Sequence, residues 1–205
     1  MENYQNQIKK GTTTLGIIAK DGIVVAAEKK STMGFLVASK ESEKIIKLSD
    51  TIVMTTAGSV GDNLTLARWL RAEIKLFEIQ NERKISVRAV STLLSNILSA
   101  YRFFPFFVQI LIAGYDEYEG FKMFSFDMLG GMEEEKKFFA TGSGSPMALG
   151  VLEALYREDL TVNEAKEIAI KAIKAAVERD IGSGGKGIDI AIITKEGVKI
   201  ETVKL

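Results

Sequence analysis

The 205-residue sequence contains no cysteine and no histidine. The missing cysteine excludes disulfides and thiol catalysis, and the two absences together exclude cysteine or histidine zinc sites. Without histidine no nucleophile can rely on an imidazole base, which removes the Ser-His-Asp arrangement. If the chain is a hydrolase, its base is a carboxylate, a lysine or an α-amine. An all-carboxylate metal site stays open in principle, but no carboxylate spacing singles one out, so neither a metal nor a cofactor is expected. An excess of charge of either sign is also missing. Lysine plus arginine is 27 and aspartate plus glutamate is 27. That balance leaves no electrostatic footprint for nucleic acid or an anionic membrane, and neither is expected as a partner. No apolar run approaches the length of a membrane span. The first residues, MENYQNQIKKG, are polar with no apolar core, unlike a secretory signal. A cytoplasmic location is the expectation.

What is present is ordinary for a globular chain. The hydrophobic fraction of 46% and the charged fraction of 26% argue against disorder. A chain of this length buries about 70% of its unfolded surface, enough for one self-sufficient domain.

Residues 1 to 10 are polar and without periodicity, as in a flexible tail. Two β-rich runs follow, Thr12 to Lys20 and Ile23 to Lys29, with Asp21-Gly22 as a hairpin signal between them. Further strands are predicted over 35–39, 44–48 and 51–57. The period then changes. Leu66, Leu70, Ile74 and Phe77 recur at helical spacing, and Ser59 with Asp62 reads as a capping box at that helix start. A second helix is predicted over about 86–101, with Val90, Leu94, Ile97 and Tyr101 on one face. Strands return over 108–115, 121–126 and 136–141. Two more helices start near Pro146 and at Thr161, the latter with Glu164 in a capping box. A hairpin, 188–194 and 198–203 around Glu196-Gly197, closes the chain. Grouped strands and grouped helix pairs, without strict β-α-β alternation, predict an α+β fold with antiparallel sheets between helical layers.

Some features invite sharper readings. Gly182-Ser183-Gly184-Gly185-Lys186-Gly187 matches G-x-G-x-x-G, but it follows a helix and precedes a strand, the reverse of a dinucleotide site. It reads better as a loop exploiting positive φ. Gly142-Ser143-Gly144-Ser145 precedes a helix and reads as a capped helix start or an anion site. Tyr101, Phe103, Phe104, Phe106 and Phe107 are expected to pack in the core, or, if they face outward, to form a subunit interface.

The segment Gly11-Thr12-Thr13-Thr14 gains weight from the missing histidine. A free α-amine has a pKa of about 7.7–8.0, against about 10.4 for lysine, so it serves as a base near neutrality almost unaltered. A threonine exposed as a new N-terminus carries nucleophile and base on one residue. That requires a cut between Gly11 and Thr12. The short polar segment before the cut is what a removable piece looks like.

With these residues in view, the sequence resembles a proteasome β-subunit, most like the archaeal type. The resemblance runs from Gly11 to about Thr194. It is carried by GTTTLGI, TAGSVGD, TGSGSP with GVLE, and RDIGSGG ahead of IDIAII, in that order and spacing. It implies the four-layer α-β-β-α sandwich of N-terminal-nucleophile hydrolases, with residues 1–11 as a propeptide and 12–205 as one catalytic domain. It implies Thr12 as nucleophile and, once freed, its amine as base. Lys44 would lie beside it as a protonated cation, oriented by Glu28. Family members often carry aspartate at the Glu28 position, so the longer arm changes geometry and keeps charge. Gly58 would offer its N–H to the oxyanion. Ser143, Asp180 and Ser183 would support the amine and its proton transfers. Ser31, Thr32, Thr56, Val60 and Leu64 would line the substrate groove, with Thr32 and Gly58 holding the peptide backbone. Small or apolar side chains there imply cleavage after hydrophobic residues.

The implied activity is a threonine endopeptidase made as a zymogen and matured by its own cleavage. The implied partners are other β-subunits in seven-membered rings, α-subunit rings, an AAA ATPase regulator and unfolded protein substrates. The competing readings are a ring subunit that assembles without cutting, another N-terminal-nucleophile amidohydrolase acting on a small amide, and, more remotely, a nucleotide-binding protein.

Overall fold

The computed structural model describes residues 11–205. The expected propeptide therefore lies outside the described residues except for Gly11.

The first two strands, β1 (Thr14–Ala19) and β2 (Gly22–Glu28), pair antiparallel and lie inside a five-stranded sheet. Its other members are β11 (Phe138–Thr141), β12 (Gly187–Thr194) and β13 (Gly197–Lys204), in the order β11-β1-β2-β12-β13. A six-stranded sheet has the order β10-β9-β8-β6-β5 along its main path. Those strands are β5 (Ile45–Lys47), β6 (Ile52–Thr55), β8 (Val108–Asp116), β9 (Gly120–Phe126) and β10 (Met132–Glu135), and β7 (Ala57–Gly58) pairs with β8 off that path. A separate short hairpin joins β3 (Ser31–Met33) to β4 (Leu36–Ser39). Among the described residues the helices are α1 (Val60–Asn81), α2 (Val87–Ala100), α3 (Ser145–Leu155) and α4 (Val162–Arg179).

Three apolar clusters explain the layering. Strand β2 is buried at every position, because both of its faces are covered. Val24 and Ala26 face a cluster with Ala165, Ala169 and Ile173 of α4 and Leu152 of α3. Ile23, Val25 and Ala27 face the other way, onto Val53, Ala113 and Met123 of the second sheet. That second sheet turns Ile110, Ile112 and Phe124 onto Leu66 and Leu70 of α1 and Leu94 and Leu98 of α2. The result is the expected α-β-β-α sandwich, with a two-residue period on the strands and a helical period on the covering layers.

The ends of the elements follow local chemistry, with several shifts from expectation. Both hairpin turns fall one residue earlier than the Asp-Gly and Glu-Gly pairs, at Lys20-Asp21 and Lys195-Glu196. At Gly22 the reason is packing: a Cβ there would meet the Ile193 carbonyl at 2.5 Å. Ser59 caps α1 by accepting from the Asp62 N–H at 3.4 Å, but the Asp62 carboxylate accepts from the Phe107 N–H at 2.9 Å instead of closing the box. Strands β3, β7 and β10 carry too little periodicity to be read from sequence. The last is Met-Glu-Glu-Glu at a sheet edge, where charge is tolerated because one side stays open.

The aromatic run is a correction. Phe103 and Phe104 are exposed, as are Tyr101 and Phe107, while Phe106 is half-buried against Trp69 and Tyr101. These rings sit where α2 ends and the chain turns over the surface towards β8, so helical periodicity no longer directs them inward.

At α4 the Thr161–Glu164 capping box forms in full. The Thr161 backbone N–H first, then its hydroxyl and the Arg157 guanidinium, hold the Glu164 carboxyl down to about 2. A depressed folded value contributes stability above the unfolded pKa of about 4.3, and that contribution is lost as pH falls towards 2. Glu164→Gln is therefore expected to flatten the acid limb of the urea midpoint against pH between about pH 4 and 2. An unchanged acid limb would show that the cap does not act this way.

Candidate active site

The hairpin β1–β2 and the start of β5 bring three distant residues together. Thr12 lies just before β1, Glu28 ends β2 in the same sheet, and Lys44 precedes β5 in the opposite sheet. All three are buried, Glu28 completely. Lys44 Nζ donates to Thr12 Oγ1 at 2.9 Å and pairs closely with Glu28. Thr12 Oγ1 donates to the Gly11 carbonyl oxygen at 2.7 Å.

Glu28 is held from several sides. Oε1 accepts from the Thr13 N–H at 3.2 Å, and Oε2 accepts from the N–H groups of Lys30 at 2.7 Å and Gly184 at 2.9 Å. The longer glutamate arm thus still reaches every partner. Burial pushes the Glu28 carboxyl up and the Lys44 ammonium down, while each charge opposes the other's shift. Three backbone donors on one carboxylate favour the ionised pair and keep a cation against the Thr12 hydroxyl. Burial narrows that margin.

On the other side of Thr12, its backbone N–H donates to Ser143 Oγ at 3.1 Å. Ser143 Oγ donates in turn to Asp180 Oδ2 at 2.6 Å, and Ser183 Oγ donates to the same oxygen at 2.6 Å. Asp180 is the C-cap of α4, and its other oxygen accepts from the Gly182 N–H at 3.1 Å. The glycine-rich segment is the expected loop between α4 and β12, with φ of 145° at Gly184 and 101° at Gly185. It has a further task, because the Gly184 N–H is one of the donors on Glu28.

A small pocket opens beside Thr12 and is open to solvent at its mouth. Ser31, Thr56, Gly58, Val60 and Leu64 line it together with Gly11, Thr12 and Lys44. Thr32 is not in its wall. Its hydroxyl instead accepts from the Gly11 N–H at 3.2 Å, next to the bond expected to be cut. Gly58 has φ of 96°, and a Cβ there would strike the Phe107 carbonyl, so glycine alone fits.

Five further residues join the site without a signal the sequence made plain. Thr13 bonds Ser183 Oγ at 2.6 Å, and Ser42, Glu43 and Ile46 line the pocket. Asn63 also lines it, and its Nδ2 donates to the carbonyls of Ala57 at 3.1 Å and Ser59 at 2.8 Å, on either side of Gly58. Spacing could have found Asn63 and Ile46. Asn63 follows Val60 by one helical turn, and Ile46 follows Lys44 by one strand period.

The layered fold is the N-terminal-nucleophile hydrolase architecture. The proteasome family, described as proteasome subunit, matches residues 8–193. A proteasome subunit beta of Methanocaldococcus fervens is 54% identical over 193 residues, covering 94% of this chain and 86% of that protein. One from Archaeoglobus profundus is 51% identical over 193 residues, covering 94% and 89%. One from Methanococcus aeolicus is 50% identical over 191 residues, covering 93% and 88%. The chain belongs to the proteasome subunit family. Its relatives make it a β-type core subunit, in a family of peptide-bond hydrolases that assemble with α subunits. Among the described residues no helix is long and apolar enough to cross a membrane.

Proposed function

We propose that this subunit is a threonine endopeptidase that matures itself by cutting between Gly11 and Thr12. One observation carries the reading: in the uncut chain Thr12 Oγ1 is hydrogen-bonded both to Lys44 Nζ at 2.9 Å and to the carbonyl oxygen of the bond to be cut at 2.7 Å. Oγ1 attacks the Gly11 carbonyl carbon. The hydroxyl proton passes to the Thr12 nitrogen as the C–N bond breaks, leaving an ester between Gly11 and Oγ1. The α-amine of Thr12 is free from that point; water then hydrolyses the ester, which releases residues 1–11 as a carboxylate and restores the Oγ1 hydroxyl.

In the mature chain the amine takes the Oγ1 proton when substrate is attacked and returns it to the leaving amine. Lys44, held by Glu28, lowers the cost of the developing alkoxide through its field. The Ser143–Asp180–Ser183 cluster holds the amine, and the Gly58 N–H serves the oxyanion. Proton transfer uses the chain's own groups, and no cofactor is invoked. The pocket's Val60, Leu64 and Ile46 favour a hydrophobic residue before the cleaved bond. We place the subunit in seven-membered rings between α rings in the cytoplasm, supplied with unfolded protein by an AAA ATPase.

The test is the intact mass of the chain in the ring-sized fraction after co-expression with α subunits. A chain beginning at Thr12 is expected. A full-length chain in assembled, inactive rings would make it a non-cutting structural subunit.

A further inference from the structure

In the uncut chain Gly11 is gripped from three sides. Its N–H donates to Thr32 Oγ1 at 3.2 Å, and its carbonyl oxygen accepts from Thr12 Oγ1 at 2.7 Å. The third contact is with Gly182 in the α4–β12 loop, where two backbones meet with no side chain between them. A Cβ on Gly11 would overlap Gly182 Cα and come within 2.6 Å of the Gly182 carbonyl carbon. A Cβ on Gly182 would overlap Gly11 Cα and lie 3.1 Å from the Gly11 carbonyl carbon, the atom to be attacked. The loop has little room to retreat. The Gly182 N–H donates to Asp180 Oδ1 at 3.1 Å, and the Ser183 N–H donates to the Asp180 carbonyl at 3.0 Å. Gly182 is not one of the glycines with positive φ, so alanine suits its backbone and only space excludes it. Of the three atoms nearest a Cβ at that position, two belong to Gly11 and leave once the chain is cut. The third is Ser143 Oγ at 2.9 Å, the end of a side chain that can turn.

We infer that Gly182 is a positioning residue for self-cleavage: its bare Cα is the seat against which Gly11 rests, and with the Thr32 hydroxyl it presents the Gly11 carbonyl carbon to Thr12 Oγ1. A misplacement of about 1 Å at a reacting atom costs about 100-fold, so a methyl group at the seat is felt at the bond to be cut. The contact ends with the cut, and a processed chain no longer depends on it. This rests on the reading of the subunit as self-processing. It adds a requirement, on the α4–β12 loop, that the nucleophile and its cation do not make.

The experiment mixes the full chain with α subunits and follows the intact mass in the ring-sized fraction over time. A fluorogenic peptide then gives kcat/KM per chain beginning at Thr12. Gly182→Ala is expected to be cut about 100-fold more slowly than the unmodified chain. Its kcat/KM per processed chain is expected to fall only about fivefold, the scale of one hydroxyl pushed off its rotamer. A general loosening of the site would lower both by the same factor. Thr32→Val is expected to be cut about tenfold more slowly, for one lost hydrogen bond, and Thr32→Ser to recover the unmodified rate. Should Gly182→Ala fail to assemble or stay wholly uncut, the Thr32 pair decides alone. Cutting of Gly182→Ala or Thr32→Val at the unmodified rate, or equal losses in cutting and peptidase activity for Gly182→Ala, would overturn the inference and leave self-cleavage intact. An unmodified chain that stays uncut in assembled rings would overturn both.

Discussion

A Thr12→Ala chain will stay full length in assembled particles and will lose about 10⁴-fold or more of the peptidase activity. Removing the nucleophile of a covalent hydrolase leaves only binding and oxyanion terms, and losses of that size follow. No neighbour can take over. Ser143 and Ser183 each donate their hydroxyl to Asp180, and Lys44 is engaged by Glu28. The same change should leave the fold nearly intact, since it deletes one hydroxyl and one methyl at the end of a strand. Thr12→Ser separates the roles: it keeps the hydroxyl but loses the β-methyl that limits χ1, so it should process and cleave more slowly. Intact mass, a peptide assay and a urea melt of the same preparations check all three statements. A Thr12→Ala chain that is cut after Gly11 and cleaves peptides would end the proposal.

Glu28→Ala is expected to reduce stability by about 3–5 kcal/mol, the usual result of leaving a buried charge without its partner. Lys44 is only 4% exposed, so water cannot replace the carboxylate. The N–H groups of Thr13, Lys30 and Gly184 lose their acceptor at the same time. Activity should fall with stability, because Lys44 is no longer held against Thr12 Oγ1. Glu28→Asp retains the charge on a shorter arm and should recover part of both. The urea midpoint and the fraction of processed chain are the measurements. An alanine variant with an unchanged midpoint and full processing would show that the pair is incidental.

Much of this site was legible before the fold was known. The absence of histidine narrowed the base to a lysine, a carboxylate or an amine, and Gly11-Thr12 supplied a threonine that could acquire one. The acid and the lysine were nameable because the resemblance assigned them, not because their spacing did. Sixteen positions separate Glu28 from Lys44, and they meet only because the two sheets face each other. Thr32 is expected in the groove, and the hairpin it belongs to turns its hydroxyl to the Gly11 N–H, beside the bond expected to be cut. For the aromatic run, ring hydrophobicity predicts the core first and an outward interface second. The run falls on a surface turn, where chain direction overrides hydrophobicity.

The sequence by itself determined the class of chemistry and the alternation of layers. Residue type excludes mechanisms outright, and apolar periodicity of two or 3.6 selects strand or helix locally. Only the tertiary structure decided which groups share a proton and which side chain completes the pocket. The stacking of two sheets set Lys44 against Thr12, the α4–β12 loop brought Asp180, Ser183 and Gly184 to the same point, and the start of α1 placed Asn63 in the wall of the pocket beside Thr12. Those contacts join residues far apart in the chain, and a local pattern carries no record of the distance between them.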